Sequence, residues 1–362
     1  MERHSAKTPT LNTQKYNPFV RGRFPVGVRT IHALDAARNR LFPCEVWYPA
    51  TDQYIGQDIL PQTQDFFTTY LGSIPQSQMA VRDAVARSES YPLILFSHHS
   101  GGHRRAATFL CTHLSSHGYI VAALDHSEVV AEELARKDKE TDEQKTLRRQ
   151  AIIDNRVPDI QFLLKQLLNG LAREINFDPA QIGVVGHSLG GWTSLATVDV
   201  EKSLRAVIAL APGGSSNPKP GILPVKLSFS WGRDVPTLYL VAENDVSLPL
   251  PGMYEIFDRT PATKQMVILH RADHLHFMDN VEQIHEIVRA MTFPDELAWL
   301  PKEMQPVSEL CSEQQAHLFV RGLTLCHMDA VLKQQENAQK FWLGDVKAKL
   351  TMFGVDAILY NG

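Results

Sequence analysis

A serine, an aspartate and a histidine that could cooperate in acyl transfer occur along this chain in the order Ser188, Asp245, His274. Ser188 stands in Gly186-His187-Ser188-Leu189-Gly190, a G-x-S-x-G pattern between an apolar strand-like run (182–185) and a helix-like one (192–198). A strand–turn–helix of this kind lifts a serine hydroxyl out of a sharp bend. The glycines two residues to either side are required because strand and helix pass too close for a Cβ. A serine hydroxyl is a poor nucleophile at neutral pH and needs an adjacent base, itself oriented by an acid. Asp245 follows the apolar strand 237–241, and His274 follows the strand 265–269 after a short loop. Asp245 suits the acid better than Glu243, which is nearer the strand, or Asp234, which precedes it. For the base, His274 is favoured, His270 is still at the strand's end, and His276 is the competitor. His187 reads as a packing residue that faces away from the nucleophile.

Acyl transfer also needs donors aimed at the oxyanion that develops on the substrate. One is expected from the backbone N–H of Leu189, the residue after the serine. The other is expected from Ser100, in the loop His98-His99-Ser100-Gly101-Gly102 that follows the apolar run 91–96.

The elements that must hold these groups alternate between apolar runs and amphipathic stretches from about residue 26 to 293. That pattern predicts an α/β fold, a single domain with a mostly parallel central sheet and helices on both faces. Residues 1–25 form an N-terminal extension to a domain spanning 26–362. Strands at 26–31 and 42–48 are expected as an antiparallel entry to the sheet. A long polar excursion with one short helix covers 50–90. A helix over 106–117 ends at Gly118, as a left-handed glycine cap would have it, and a strand follows at 119–124. Residues 127–150 are dense in charge and read as a solvated helix or mobile loop, with part of an active-site lid as the sharper reading. A helix over 152–168 stops at Asn169-Gly170, and a strand is expected at 206–210. The Pro-, Gly- and Ser-rich stretch 212–235 is expected to shape a pocket, with 50–90 and 127–150 as further pocket or lid insertions. The pattern over 312–357 is helical and is expected to pack on the sheet.

The 362 residues carry a formal charge of −4 and give no basic surface for nucleic acid. No apolar run approaches the ~18 residues of a membrane span. The polar stretch 1–17 lacks the apolar core of a signal peptide, so a cytoplasmic location is expected. The four cysteines, Cys44, Cys111, Cys311 and Cys326, form no C-x-x-C pair and are expected as buried free thiols. Histidines cluster at His98, His99 and His103 and again at His270, His274 and His276. A zinc site built from them lacks the H-E-x-x-H pattern and leaves Ser188 unexplained, so no metal or cofactor is expected. The expected partner is a small-molecule ester, and the sequence is silent on oligomeric state.

Several segments together resemble one branch of the α/β-hydrolases, the platelet-activating-factor acetylhydrolases and dienelactone-hydrolase-like proteins. They are Val46-Trp47-Tyr48-Pro49, Tyr91-Pro92-Leu93-Ile94-Leu95-Phe96-Ser97-His98, Ser116-His117-Gly118-Tyr119-Ile120-Val121-Ala122-Ala123, the Ser188 turn and Asp273-His274. The likeness runs from about residue 26 to 277. It implies a metal-independent serine esterase acting on short or modified acyl groups, with Ser100 and Leu189 as oxyanion donors. Two departures stand out. His99 occupies a position that is often glycine in the branch. Residues 211–214 offer no carboxylate where the acetylhydrolases can place their acid, which strengthens Asp245. The dienelactone-hydrolase-like members often carry cysteine where this chain has Ser188. The alternatives are dienelactone hydrolase or thioesterase-type activity on the same triad, or a non-catalytic binding protein on a hydrolase fold.

Overall fold

Strands whose successive side chains feed two opposite apolar layers organise the protein, whose computed structural model describes residues 16–68, 75–137, 139–293 and 295–360. The strands are β1 (Val26–Asp35), β2 (Arg40–Pro49), β3 (Asp65–Thr68), β4 (Pro75–Gln78), β5 (Val81–Arg82), β6 (Tyr91–Ser97), β7 (Ile120–Leu124), β8 (Phe177–His187), β9 (Leu204–Leu210), β10 (Thr237–Ala242), β11 (Lys264–Leu269) and β12 (Ala357–Tyr360). Among the described residues, ten of them form one sheet in the order β12-β11-β10-β9-β8-β6-β7-β2-β1-β5, while β3 and β4 pair as a separate hairpin. The run from β7 through β6, β8, β9 and β10 to β11 is parallel. β2 enters antiparallel to β7, and β1 is antiparallel to β2.

The helices are α1 (Thr108–Ser116), α2 (Ser127–Val130), α3 (Asp142–Leu168), α4 (Leu189–Val200), α5 (Leu250–Arg259), α6 (Val281–Ala290), α7 (Leu300–Glu303), α8 (Glu313–Val331), α9 (Glu336–Leu343) and α10 (Val346–Thr351). Strand periodicity sends Leu93 and Leu95 of β6 to one face, where Leu163 of α3 and Leu195 of α4 cover them. Ile94 and Phe96 go to the other face, under Leu110 of α1 and Phe319 of α8. Each fully buried leucine or isoleucine in these layers contributes about 2 kcal/mol. Parallel strands covered on both faces read as continuous apolar runs, which is why they stood out in the sequence.

Several expectations change. The excursion 50–90 holds 3-10 turns at Asp52–Tyr54 and Gln57–Ile59, the β3–β4 hairpin and β5, rather than one short helix; residues 69–74 lie outside the described part. Of the two readings of the charged stretch before 152, the solvated helix holds: most of it is the exposed start of α3. Thr141 caps that helix through the Gln144 backbone N–H, and the Gln144 side chain returns the bond to Thr141 N–H. The C-terminal stretch ends in β12, a four-residue antiparallel edge strand on β11, too short to show its period. The extension before residue 16 is outside the described residues. All four cysteines are free and buried.

One buried charge ties the start of α1 to the sheet. Glu45 of β2 has no exposed surface and accepts from Arg82 Nη1 at 2.8 Å, Arg104 Nε at 3.1 Å, Arg105 Nε at 3.0 Å and Thr30 Oγ1 at 3.0 Å. Burial alone would raise its pKa, but the guanidiniums of Arg105, Arg82 and Arg104 outweigh that and hold the carboxyl below its ordinary value. Glu45→Ala strands three arginines around a missing anion and should cost about 3 kcal/mol, read as an earlier urea-unfolding midpoint.

Candidate active site

The turn after β8 is built by steric exclusion. A Cβ on Gly186 would stand 2.0 Å from the Gly190 carbonyl oxygen, and one on Gly190 would stand 2.0 Å from the Ser97 carbonyl oxygen. Ser188 between them takes φ 60°, a left-handed backbone that costs a non-glycine residue about 1–3 kcal/mol. Backbone bonds enforce it: Ser188 N–H donates to Leu210 O at 2.8 Å, and Gly213 N–H donates to Ser188 O at 3.1 Å. The serine is thereby left at the C-terminal edge of the sheet, where ligand sites of open α/β sheets lie.

His274 and Asp245 meet it there. Ser188 Oγ lies 2.9 Å from His274 Nε2, and His274 Nδ1 donates to Asp245 Oδ2 at 2.6 Å. The other oxygen, Asp245 Oδ1, accepts from the N–H groups of Ser247 and Leu248, each at 2.8 Å, which locks the carboxylate toward the ring. The Asp245 side chain is 1% exposed and that of His274 18%. Burial alone would lower the His274 pKa. The charge and hydrogen bond of Asp245 prevail, with Asp273 adding, and the net shift is upward from 6.5.

The competing residues are committed elsewhere. Glu243 accepts from Arg271 N–H at 3.0 Å and pairs with His270 Nδ1 at 3.0 Å. Asp234 accepts from the N–H and Oγ1 of Thr263, both at 2.8 Å. His276 is wholly buried, with Nδ1 2.8 Å from Asp273 Oδ1 and Nε2 3.1 Å from Cys311 O. Asp273 also caps the His274–Phe277 turn through Leu275 N–H and binds His285 Nε2 at 2.7 Å. Asp273 and His276 therefore position the turn that presents His274. His187 is a buried packing residue as expected, but its ring is not remote from the site: its centroid is 4.7 Å from that of His274 and 5.5 Å from that of His99. Among the described residues, no group of three or more His, Cys, Asp or Glu is arranged to hold a metal ion.

Ser100 and Leu189 both line a cleft of about 270 Å³ that also contains Ser188, His274 and His99. Leu189 opens α4, where the first N–H groups have no partner inside the helix and the helix dipole is positive. Most of the rest of the wall is apolar, Ser247 apart: Ile222, Leu223 and Val225 from the 212–235 stretch, Leu248, and Leu297 with Leu300. No described residue of 50–90 or 127–150 is in this lining. Leu297 and Leu300 were not foreseen, since two leucines in a Pro- and acid-rich stretch carry no periodicity. They are tied to the opposite wall: Trp299 Nε1 donates to Pro220 O at 3.1 Å, Lys219 Nζ sits 4.1 Å over the Trp299 ring, and Lys219 pairs with Glu303. His99, facing the same cleft, has its pKa pushed down to about 3, first by burial and then by His274, His103 and Arg156.

Comparison with known proteins agrees with this architecture. The family described as platelet-activating factor acetylhydrolase, isoform II, matches residues 12–161. The guinea-pig (Cavia porcellus) platelet-activating factor acetylhydrolase is 27% identical over 66% of this chain and 60% of its own length, and the Gallus gallus protein of that name is 24% identical over 56% and 60%. The chain thus spans about 60% of the length of these relatives. Cutinase est1 of Thermobifida alba is 24% identical over 54% of this chain and 56% of its own. Among solved structures, a ferulic acid esterase from Streptomyces cinnamoneus superposes with a TM-score of 0.62 at 22% identity, covering 86% of this chain and 92% of that one. Sheet order, the Ser188 turn and these likenesses give the chain an α/β-hydrolase fold that is similar, over residues 12–161, to the platelet-activating factor acetylhydrolase family.

Proposed function

We propose that this protein is a serine carboxylic ester hydrolase for small esters with short or modified apolar acyl groups, and that Ser188, His274 and Asp245 are its catalytic triad. The observation that carries the reading is the continuous chain from Ser188 Oγ through the His274 ring to Asp245, opening into an apolar cleft. The names of the relatives, acetylhydrolase, cutinase and esterase, support the same class. In this reading residues 26–362 form the hydrolase domain, preceded by an N-terminal extension. No helix of the described residues is long and apolar enough to cross a membrane. A cytoplasmic location belongs to the proposal and is supported by the four unpaired thiols.

Ser188 Oγ attacks the ester carbonyl carbon while its proton passes to His274 Nε2. Asp245 holds the ring in the tautomer whose Nε2 can accept, and it stabilises the imidazolium without taking the proton. The oxyanion of the tetrahedral intermediate receives hydrogen bonds from the N–H groups of Leu189 and Ser100. His274 then returns the proton to the leaving alcohol, and water repeats the sequence to release the acid from Ser188.

Hydrolysis of p-nitrophenyl acetate should persist in chelator and fall by about 10⁴-fold or more in Ser188→Ala. Loss of activity on chelation overturns the triad, and a wild-type protein inert on every acyl length points to a binding protein instead. His274 must be neutral to accept the proton, so kcat/KM should rise with pH along an acid limb centred above 6.5. Asp245→Asn should move that limb downward and cut kcat by about 10³-fold or more. The double change Leu297→Ala, Leu300→Ala opens the apolar wall and should raise kcat/KM on octanoate relative to acetate by about tenfold.

A further inference from the structure

The oxyanion loop has a buried support that the triad does not use, and the support is carried on α3. Arg156 has no exposed surface, yet its guanidinium reaches two successive carbonyls of that loop: Nη1 donates to His98 O at 2.6 Å and Nη2 to His99 O at 3.0 Å. A planar fork with fixed donor directions can grip two carbonyls at once, which an ammonium cannot do. His99 O accepts two more bonds, from His98 Nδ1 at 2.7 Å and Gly102 N–H at 3.0 Å. Every described peptide bond is trans. In a trans peptide the C=O and the next N–H point in opposite directions. Three donors pinning the His99 carbonyl therefore turn the Ser100 N–H the other way, toward the cleft that Ser100 shares with Ser188.

The neighbouring groups hold the same loop. Asp159, three residues beyond Arg156 and on the same helix face, accepts from Ser127 N–H at 2.8 Å, Ser127 Oγ at 2.7 Å, Arg38 Nη1 at 2.6 Å and His126 Nδ1 at 3.2 Å. The other ring nitrogen of His126 accepts from Ser97 Oγ at 2.8 Å, and the His126 backbone N–H donates to His98 Nε2 at 3.0 Å. Ser97, His126 and Asp159 share residue types with the site but are wholly buried, so they hold structure rather than meet substrate. Glu128 pairs with Arg156 and balances its charge.

We propose that Arg156 is a positioning residue for catalysis: by gripping the His98 and His99 carbonyls it aims the Ser100 N–H at the oxyanion. This rests on the esterase reading above and goes beyond it, because Arg156 touches neither substrate nor triad. His98 and His126 are both held neutral well below pH 6.5, first by burial and then by the Arg156 charge, so the support does not titrate together with His274.

Arg156→Lys keeps the charge and loses the fork. It should lower kcat by about 10- to 100-fold, short of the loss of a whole donor, with KM changed by no more than about threefold. The acid limb of the pH profile should stay in place, and the Ki of a trifluoromethyl ketone analogue should weaken in step with kcat/KM. A folded Arg156→Lys protein, judged by thermal unfolding, whose kcat stays within about twofold of wild type overturns the proposal. So does a variant whose acid limb moves, or whose Ki does not follow kcat/KM. If Arg156→Lys does not fold, Glu128→Gln decides the matter by freeing the guanidinium from its counter-ion. A kcat reduced several-fold at constant KM supports the proposal, and an unchanged kcat overturns it. Failure of the esterase reading shows separately, as wild-type turnover that survives in Ser188→Ala.

Discussion

The constraint on which the rest depends is the contact between the Ser188 turn and the end of β6. Gly190 lies so close to the Ser97 carbonyl that no side chain fits, and a Cβ on Gly191 would stand 3.0 Å from Pro212, tighter than ordinary contact. This contact sets Ser188, the head of α4 and the loop 98–102 at fixed separations. The strained φ of Ser188 survives because its own N–H and C=O are engaged by Leu210 and Gly213. The same compression that strains the serine places the first free N–H groups of α4 beside the loop 98–102, the proposed oxyanion loop, so the strain and the electrostatics share one origin.

Around that contact the loops are held by buried charges rather than by apolar packing alone. Glu45 collects three arginines, two of which open the chain into α1. Arg156 and Asp159 fasten the loop after β6 to the one after β7, and Asp273 fastens the turn that carries His274. Buried ions add little net stability over well-packed apolar groups, but removing one partner is costly. They also have directional requirements that leucines lack. Loops at the C-terminal edge of a parallel sheet have few ladder bonds of their own, and directional partners give them one conformation.

The central strands were legible because each is buried on both faces and reads as an unbroken apolar run. The proposed nucleophile was legible because the turn needs glycine at two fixed offsets. Asp245 and His274 could be ranked against their neighbours because a residue just past a strand can reach over the sheet edge, whereas Glu243 and His270 are too early. The support of the site was not legible. Arg156 and Asp159 are two charges three apart on a helix, a pattern shared with any solvated helical face, and only the fold shows that this face is inward. Leu297 and Leu300 meet the cleft through a chain crossing that no local period encodes. His187 was legible as a packing residue, but not that the turn carrying His274 would bring a second ring against it.

The crowding of imidazoles at this edge is resolved by giving each a different environment. His98, His126 and His187 are wholly buried and lack a carboxylate that outweighs desolvation, so their pKa values fall well below 6.5; His99 falls to about 3. Burial disfavours charge on His276 too, but its bond to Asp273 outweighs that and raises its pKa to about 10. His274 has both a buried carboxylate and an opening to the cleft, and Asp245 outweighs burial to raise its pKa from 6.5. Of the two rings that line the cleft, His99 is lowered and His274 is raised, and His274 is the one bonded to Ser188. Substituting glycine for His99 would not simply restore a roomier oxyanion loop. It would remove one of the neutral walls that keep water from His274 and leave the Asp245–His274 pair more solvated, with weaker control over where the proton resides.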